Sequence, residues 1–180
     1  MNKMIVRLGI GAVGGLAGLA AMSLCQRLAR PFVKQRAPKP MDVFTSEKTM
    51  SPLGSHHRPD ESATDALGRL AYEDVVGDEP SDRQKRTLSW GVHIAYGLLV
   101  AELYGVFALR RARSLRHAIG TGALFGVALW ALGDELAVPL LGLADKPTQY
   151  HPTQHVQSLA AHLGYGITTA VTTNVIGSLS

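Results

Sequence analysis

The chain has 180 residues, of which 46% are hydrophobic and 18% charged, with 19 glycines and a formal net charge of +4. That length makes one domain, and the lone Cys25 excludes an intramolecular disulfide or a cysteine-based zinc site. The basic balance does not describe a nucleic-acid surface, because no basic stripe interleaved with aromatics exists.

The mean hydropathy of +0.09 averages two populations. Residues 26–87 are charged and punctuated by proline, whereas nearly everything outside them is apolar, small or aromatic. The first apolar span is 4–25, and residues 8–25 carry no charge, enough to cross a hydrocarbon core as a helix. It exceeds the apolar region of a signal peptide, and no small-x-small cleavage site follows, so it reads as an uncleaved anchor. Gly11/Gly15 and Gly14/Gly18 have the four-residue spacing that lets helices approach closely. Gly9, Gly11 and Gly14 also match a dinucleotide-binding string, but no strand precedes them and the match is discounted.

Within the insertion 26–87, residues 62–76 place Ala63, Ala66, Leu67, Leu70 and Ala71 at helical spacing. Ser62 is the expected N-cap, with Asp65 in the first turn. This predicts a short amphipathic helix lying on a membrane or capping the bundle. The His56-His57 pair before it reads as a solvated loop. Three more apolar spans follow, at 88–109, 118–143 and 156–179. Asp134, Glu135 and Pro139 interrupt the third, predicting a kink or partial unwinding there. The fourth, rich in Thr and Gly, is the least apolar.

Basic residues flank these spans, as membrane topology and anionic head groups require. Arg110, Arg111, Arg113 and Arg116 crowd the short loop between the second and third spans. Arg27, Arg30, Lys34, Arg36, Lys39, Arg83, Lys85 and Arg86 lie on the insertion side. The positive-inside rule is strongest for short loops, so the expectation is a cytoplasmic 110–117 and cytoplasmic termini.

Ionisable residues inside the apolar spans are the sharpest functional signal. A charge near the middle of a membrane helix costs about 2.5–3.5 kcal/mol on insertion scales, so such groups normally face partners. His93, Asp134 and His162 fall at similar depths when residues are counted from the loops at 1.5 Å each. They form the expected polar cluster, with Glu135 and His155 beside them and Tyr96, Tyr165, Trp130 and Glu102 as secondary members. Three readings stay open: hydrogen bonds that hold the bundle together, a proton- or ion-handling site, or a metal or haem ligand set drawn from His93, His162 and Asp134. No Walker loop, Gly-x-Ser-x-Gly elbow or His-Glu-x-x-His is present. The expected role is therefore non-enzymatic, with no cofactor.

Four stretches, "RPFVKQRAPKPMDVF", "WGVHIAYG", "VPLLGLADKP" and "HVQSLAAHLGYG", together with the Gly-rich first helix, carry a resemblance over most of the chain. It resembles the YagU-like family of bacterial inner-membrane proteins. The family pattern, a His in the second span, a Pro-x-x-Gly-Leu turn after the third and a His in the fourth, maps to His93, residues 139–143 and His162. Where the family often has His in the third span, this chain has Asp134 or Glu135. The resemblance implies a multi-pass protein of the bacterial inner membrane, sometimes linked to acid tolerance, and no established reaction. The combined expectation is an all-α protein of about four transmembrane helices, titrating or stabilised through its His/Asp cluster in acid or stress physiology. Its partners would be the lipid bilayer and a homo-oligomer or larger complex, not nucleic acid. The alternatives are an accessory subunit of a membrane complex, a metal- or haem-binding redox protein, or a small transporter.

Overall fold

The structure, a computed structural model, describes residues 3–33, 49–59, 61–108 and 114–179. Lys34, Arg36, Lys39, Leu109, Arg110, Arg111 and Arg113, which entered the topology argument, lie outside the described residues. Every regular element among the described residues is helical.

Helix α1 runs Lys3–Ala29 and tightens into a 3-10 turn, Arg30–Phe32, at Pro31, where a missing N–H and a fixed φ end the α-helical ladder. Helix α2 is Ala63–Val76. Ser62 caps it by accepting from the Asp65 amide while the Asp65 carboxylate accepts from the Ser62 amide, and Gly77 closes it in the left-handed conformation. Helix α3 is Asp82–Ala108. It begins earlier than the expected 88 because Gln84 reaches back to the Ser81 amide at 2.8 Å, which satisfies a donor at the helix start and carries the helix into the charged segment.

Helix α4, Leu115–Leu129, continues without a break into a π-helix, Trp130–Ala137, and a short turn α5, Val138–Leu140. The interruption expected around Asp134, Glu135 and Pro139 thus takes the form of a widened helix. Pro139 cannot donate to the carbonyl four residues back, and a looser register upstream accommodates that loss. After a 3-10 turn, Pro147–Gln149, helix α6 spans Pro152–Leu179.

Three segments, Lys3–Phe32, Asp82–Ala108 and Leu115–Leu140, are long and apolar enough to cross a membrane. Helix α6 has the length, at 28 residues, but its Gln, His, Thr and Asn residues keep it below that apolarity. The chain divides into two compact units. The first comprises Met1–Val33, Tyr96–Trp130 and Pro152–Ser180, and the second Lys34–Ala95 and Ala131–His151.

Candidate functional site

In the first unit, small residues on every helix meet one another. A Cβ at Gly11 would lie 2.7 Å from the Ala101 carbonyl oxygen, and one at Gly15 would lie 2.6 Å from the Ala101 Cβ. From the other side, a Cβ at Gly105 would lie 2.7 Å from the Arg7 carbonyl oxygen. Gly14 faces Thr173 and Thr169, and Gly18 faces Thr169 and Tyr165. The two glycine pairs of α1 therefore serve two neighbours: Gly11/Gly15 seat α3, and Gly14/Gly18 seat α6. Helix α4 repeats the device, with Gly122 against Gly166 and Ala170 and Gly126 against the His162 backbone. Such close backbone approach maximises dispersion contact between the helices.

Larger side chains fill the centre. Leu19, Met22, Ala101, Ala161 and Tyr165 form the core, with Cys25, Val100, Phe125 and Leu129 packed against it. Tyr165, 2% exposed, donates its hydroxyl to the Gly97 carbonyl at 2.5 Å. Phe125 lies between Tyr104 and Tyr165, at 4.8 and 6.0 Å between centroids. The Tyr104 and Thr121 hydroxyls, 3.1 Å apart, join α3 to α4.

The ionisable residues singled out in the spans divide between the units. His155 and His162 belong to the first, and His93, Asp134 and Glu135 to the second. Asp134 is exposed, whereas His93, Glu135, His155 and His162 are half-buried. His162 faces its own helix, with Nδ1 2.9 Å from the Ser158 carbonyl, and His93 meets the edge of Trp90 at 6.5 Å. Glu102 is half-buried and Tyr96 exposed. The Trp130 indole N–H, at the first residue of the π-helix, is buried with no acceptor among the described residues. Among the described residues, no three His, Cys, Asp or Glu side chains come together to hold a metal ion.

The second unit contains polar structure that spacing did not announce. Arg69, buried on α2, grips Glu61 through Nε at 2.8 Å and Nη2 at 2.9 Å, reaches Glu73 at 3.1 Å, and donates to the His56 carbonyl at 2.7 Å. Its hydrogen bond holds the Glu61 carboxyl below the usual range. Arg58 joins Glu73 at 3.3 Å and Glu79 at 2.5 Å, and Lys85 joins Glu79 at 2.8 Å. Lys85 and Arg58 together pull Glu79 from 4.5 down to about 2. Helix α2 is fixed to the start of α3 by Thr64 and Ser89, 2.9 Å apart, and by Gln84 donating to Tyr72 at 2.9 Å.

The end of the third apolar segment is held to the loop before α2. Gly142, at φ +71, closes a Schellman motif in which its amide bonds the Pro139 carbonyl and the Leu143 amide bonds that of Val138. The Gly142 carbonyl then accepts from the His56 and His57 amides at 2.8 and 3.1 Å. His57 Nδ1 lies 3.1 Å from the same oxygen, and His57 Nε2 lies 3.4 Å from the Asp145 carboxylate. His57, expected to be solvated, has a side chain only 11% exposed. The contact was invisible in the sequence because its partners lie far along the chain.

Comparison with protein-family models, with curated proteins and with solved structures gave no match.

Proposed function

We propose that this chain is a multi-pass integral membrane protein of the bacterial inner membrane, in which a lipid-embedded helix bundle carries a polar, ion-paired unit and acts without catalysis. The carrying observation is the inverted distribution of side-chain size. The buried positions of α3 and α4 are all small, Gly97, Ala101 and Gly105 on α3 and Ala118, Gly122 and Gly126 on α4, and on α1 Gly11, Gly14, Gly15 and Gly18 outnumber the large Ile10, Leu19 and Met22. Large aliphatics point outward, among them Leu16 at 55%, Leu103 at 48% and Leu124 at 69% exposure. A water-soluble bundle keeps large apolar side chains inside, whereas lipid tolerates them outside and leaves the interior to close backbone packing.

Helix α6 is the fourth span in this reading. Its buried polar residues, Thr169 and Thr173, face α1, and Thr173 returns its hydroxyl to the Thr169 carbonyl at 2.8 Å. Polarity directed at protein does not count against insertion as polarity directed at lipid does. The resemblance to the YagU-like family supports the bacterial inner membrane as the location and acid or stress physiology as the setting.

The test is fractionation of the protein expressed in a bacterium, followed by alkaline carbonate washing and cysteine labelling. The protein should stay in the washed inner membrane. In a Cys25→Ser background, a cysteine introduced in 110–117 should label only after permeabilisation. Release by carbonate sinks the membrane reading, and labelling in intact cells reverses the orientation.

A further inference from the structure

We infer that the polar cavity between the end of α1 and the start of α6 is a binding site for an anionic phosphodiester with a hydroxylated head, such as the phosphoglycerol head group of a lipid. The cavity has a volume of about 220 Å³ and is lined by Gln26, Arg30, Gln154, Gln157 and Ser158. All five belong to the first unit. Gln157 closes one wall by donating its side-chain amide to the Gln26 carbonyl at 3.3 Å.

The lining chemistry selects the ligand. Arg30 supplies the one formal charge among the described lining residues, and its planar guanidinium matches phosphate oxygens through paired hydrogen bonds. Among the described residues no carboxylate lines the cavity to neutralise that charge, and the α6 N-terminal end adds positive potential. The three side-chain amides and the Ser158 hydroxyl each donate and accept, which suits the hydroxyls of a polyol. A choline or ethanolamine ammonium would need an acid or an aromatic face, and the described lining residues offer neither.

Size and depth agree with this ligand. The volume leaves room for a phosphate with a small polyol. Gln26 follows the uncharged run 8–25 directly. In the membrane reading, on which the lipid source rests, the cavity lies at the head-group level with acyl chains free to extend beside α1.

The experiment measures melting temperature and lipid retention for the full chain in mild detergent. Phosphatidylglycerol, phosphatidylcholine, soluble glycerol 3-phosphate and inorganic phosphate are added separately to wild type, Arg30→Gln and Arg27→Gln. Phosphatidylglycerol should raise the melting temperature by about 3 °C or more over phosphatidylcholine and remain bound in native mass spectra. Arg30→Gln should abolish that difference while melting like wild type in phosphatidylcholine. Arg27→Gln, a neighbouring cation outside the lining, should keep it.

A shift with glycerol 3-phosphate or phosphate equal to that with the lipid supports the site and assigns its source to a solute. Equal stabilisation by both lipids with no effect of either soluble anion overturns the inference, as does selectivity that survives Arg30→Gln or is lost equally in Arg27→Gln. Carbonate release of the protein overturns the membrane reading separately, and the soluble anions then still test the cavity.

Discussion

Arg69 is 4% exposed, yet each of its guanidinium nitrogens has an acceptor. A buried charge is tolerable only when so completely paired. Arg69→Ala would strand the Glu61 carboxylate, itself 10% exposed, and should cost about 3–5 kcal/mol of stability in the second unit, read from denaturant unfolding. An unchanged midpoint would mean that the network adds nothing to the fold. The acid response follows from the same groups. Lys85 and Arg58 hold Glu79 at about 2 against an ordinary 4.5, and the Arg69 hydrogen bond lowers Glu61. Burial alone would raise Asp65, but hydrogen bonds with Ser62 and Ser89 outweigh it and leave that carboxyl lowered. Folded values below unfolded ones mean stability that is fully present above about pH 4.5 and lost as pH falls through the folded values. Melting temperature should therefore fall between about pH 4.5 and about pH 2, with a shallower slope in Glu61→Gln. A flat profile over that window would contradict these pairings.

At the scale of elements, the two glycine pairs of α1 make a directional prediction. Gly18→Leu should drive α1 away from α6, because a Cβ there already meets Thr169 and the Tyr165 carbonyl. A loss of about 1–3 kcal/mol or more is expected from overpacking. Leu16→Ala, on the outward side, should leave the melting temperature in detergent nearly unchanged. Equal effects of the two substitutions would refute the packing described. The glycine spacing on α1 was legible because a four-residue repeat is local. The same spacing marks Gly122/Gly126 on α4 and Gly97/Ala101 on α3, and it could have identified those faces too. The start of α2 was legible for the same reason, since its N-cap and first-turn acid sit three residues apart. Arg69 with Glu61 and His57 with Gly142 were not, because a pairing across a fold leaves no mark in the spacing of either partner. Depth counting likewise ranks residues along helices but says nothing of which side each faces. It did not anticipate that Asp134 is exposed.

For the molecule as a whole, outward leucines distinguish two solvents. Leu16→Lys with Leu124→Lys replaces two exposed side chains. In water such changes are neutral or improve solubility, but in a bilayer each should cost about 2.5–3.5 kcal/mol near the hydrocarbon centre. The double variant should therefore lose most of its carbonate-resistant membrane fraction. Full retention would argue that these faces do not meet lipid. Hydropathy alone made the three long apolar segments legible, whereas the standing of α6 depends on where its polar side chains point, which only the packed structure reveals.

The position of α6 also bears on how the molecule is made. Its small-residue face seats both α1 and α4, yet it follows them in the chain and leaves the ribosome after them. During synthesis, α1 and α4 expose glycine faces whose partner does not yet exist, for as long as translation of the intervening residues lasts. Arrival of α6 covers both faces at once, so closure of the first unit waits on the last helix of the described residues.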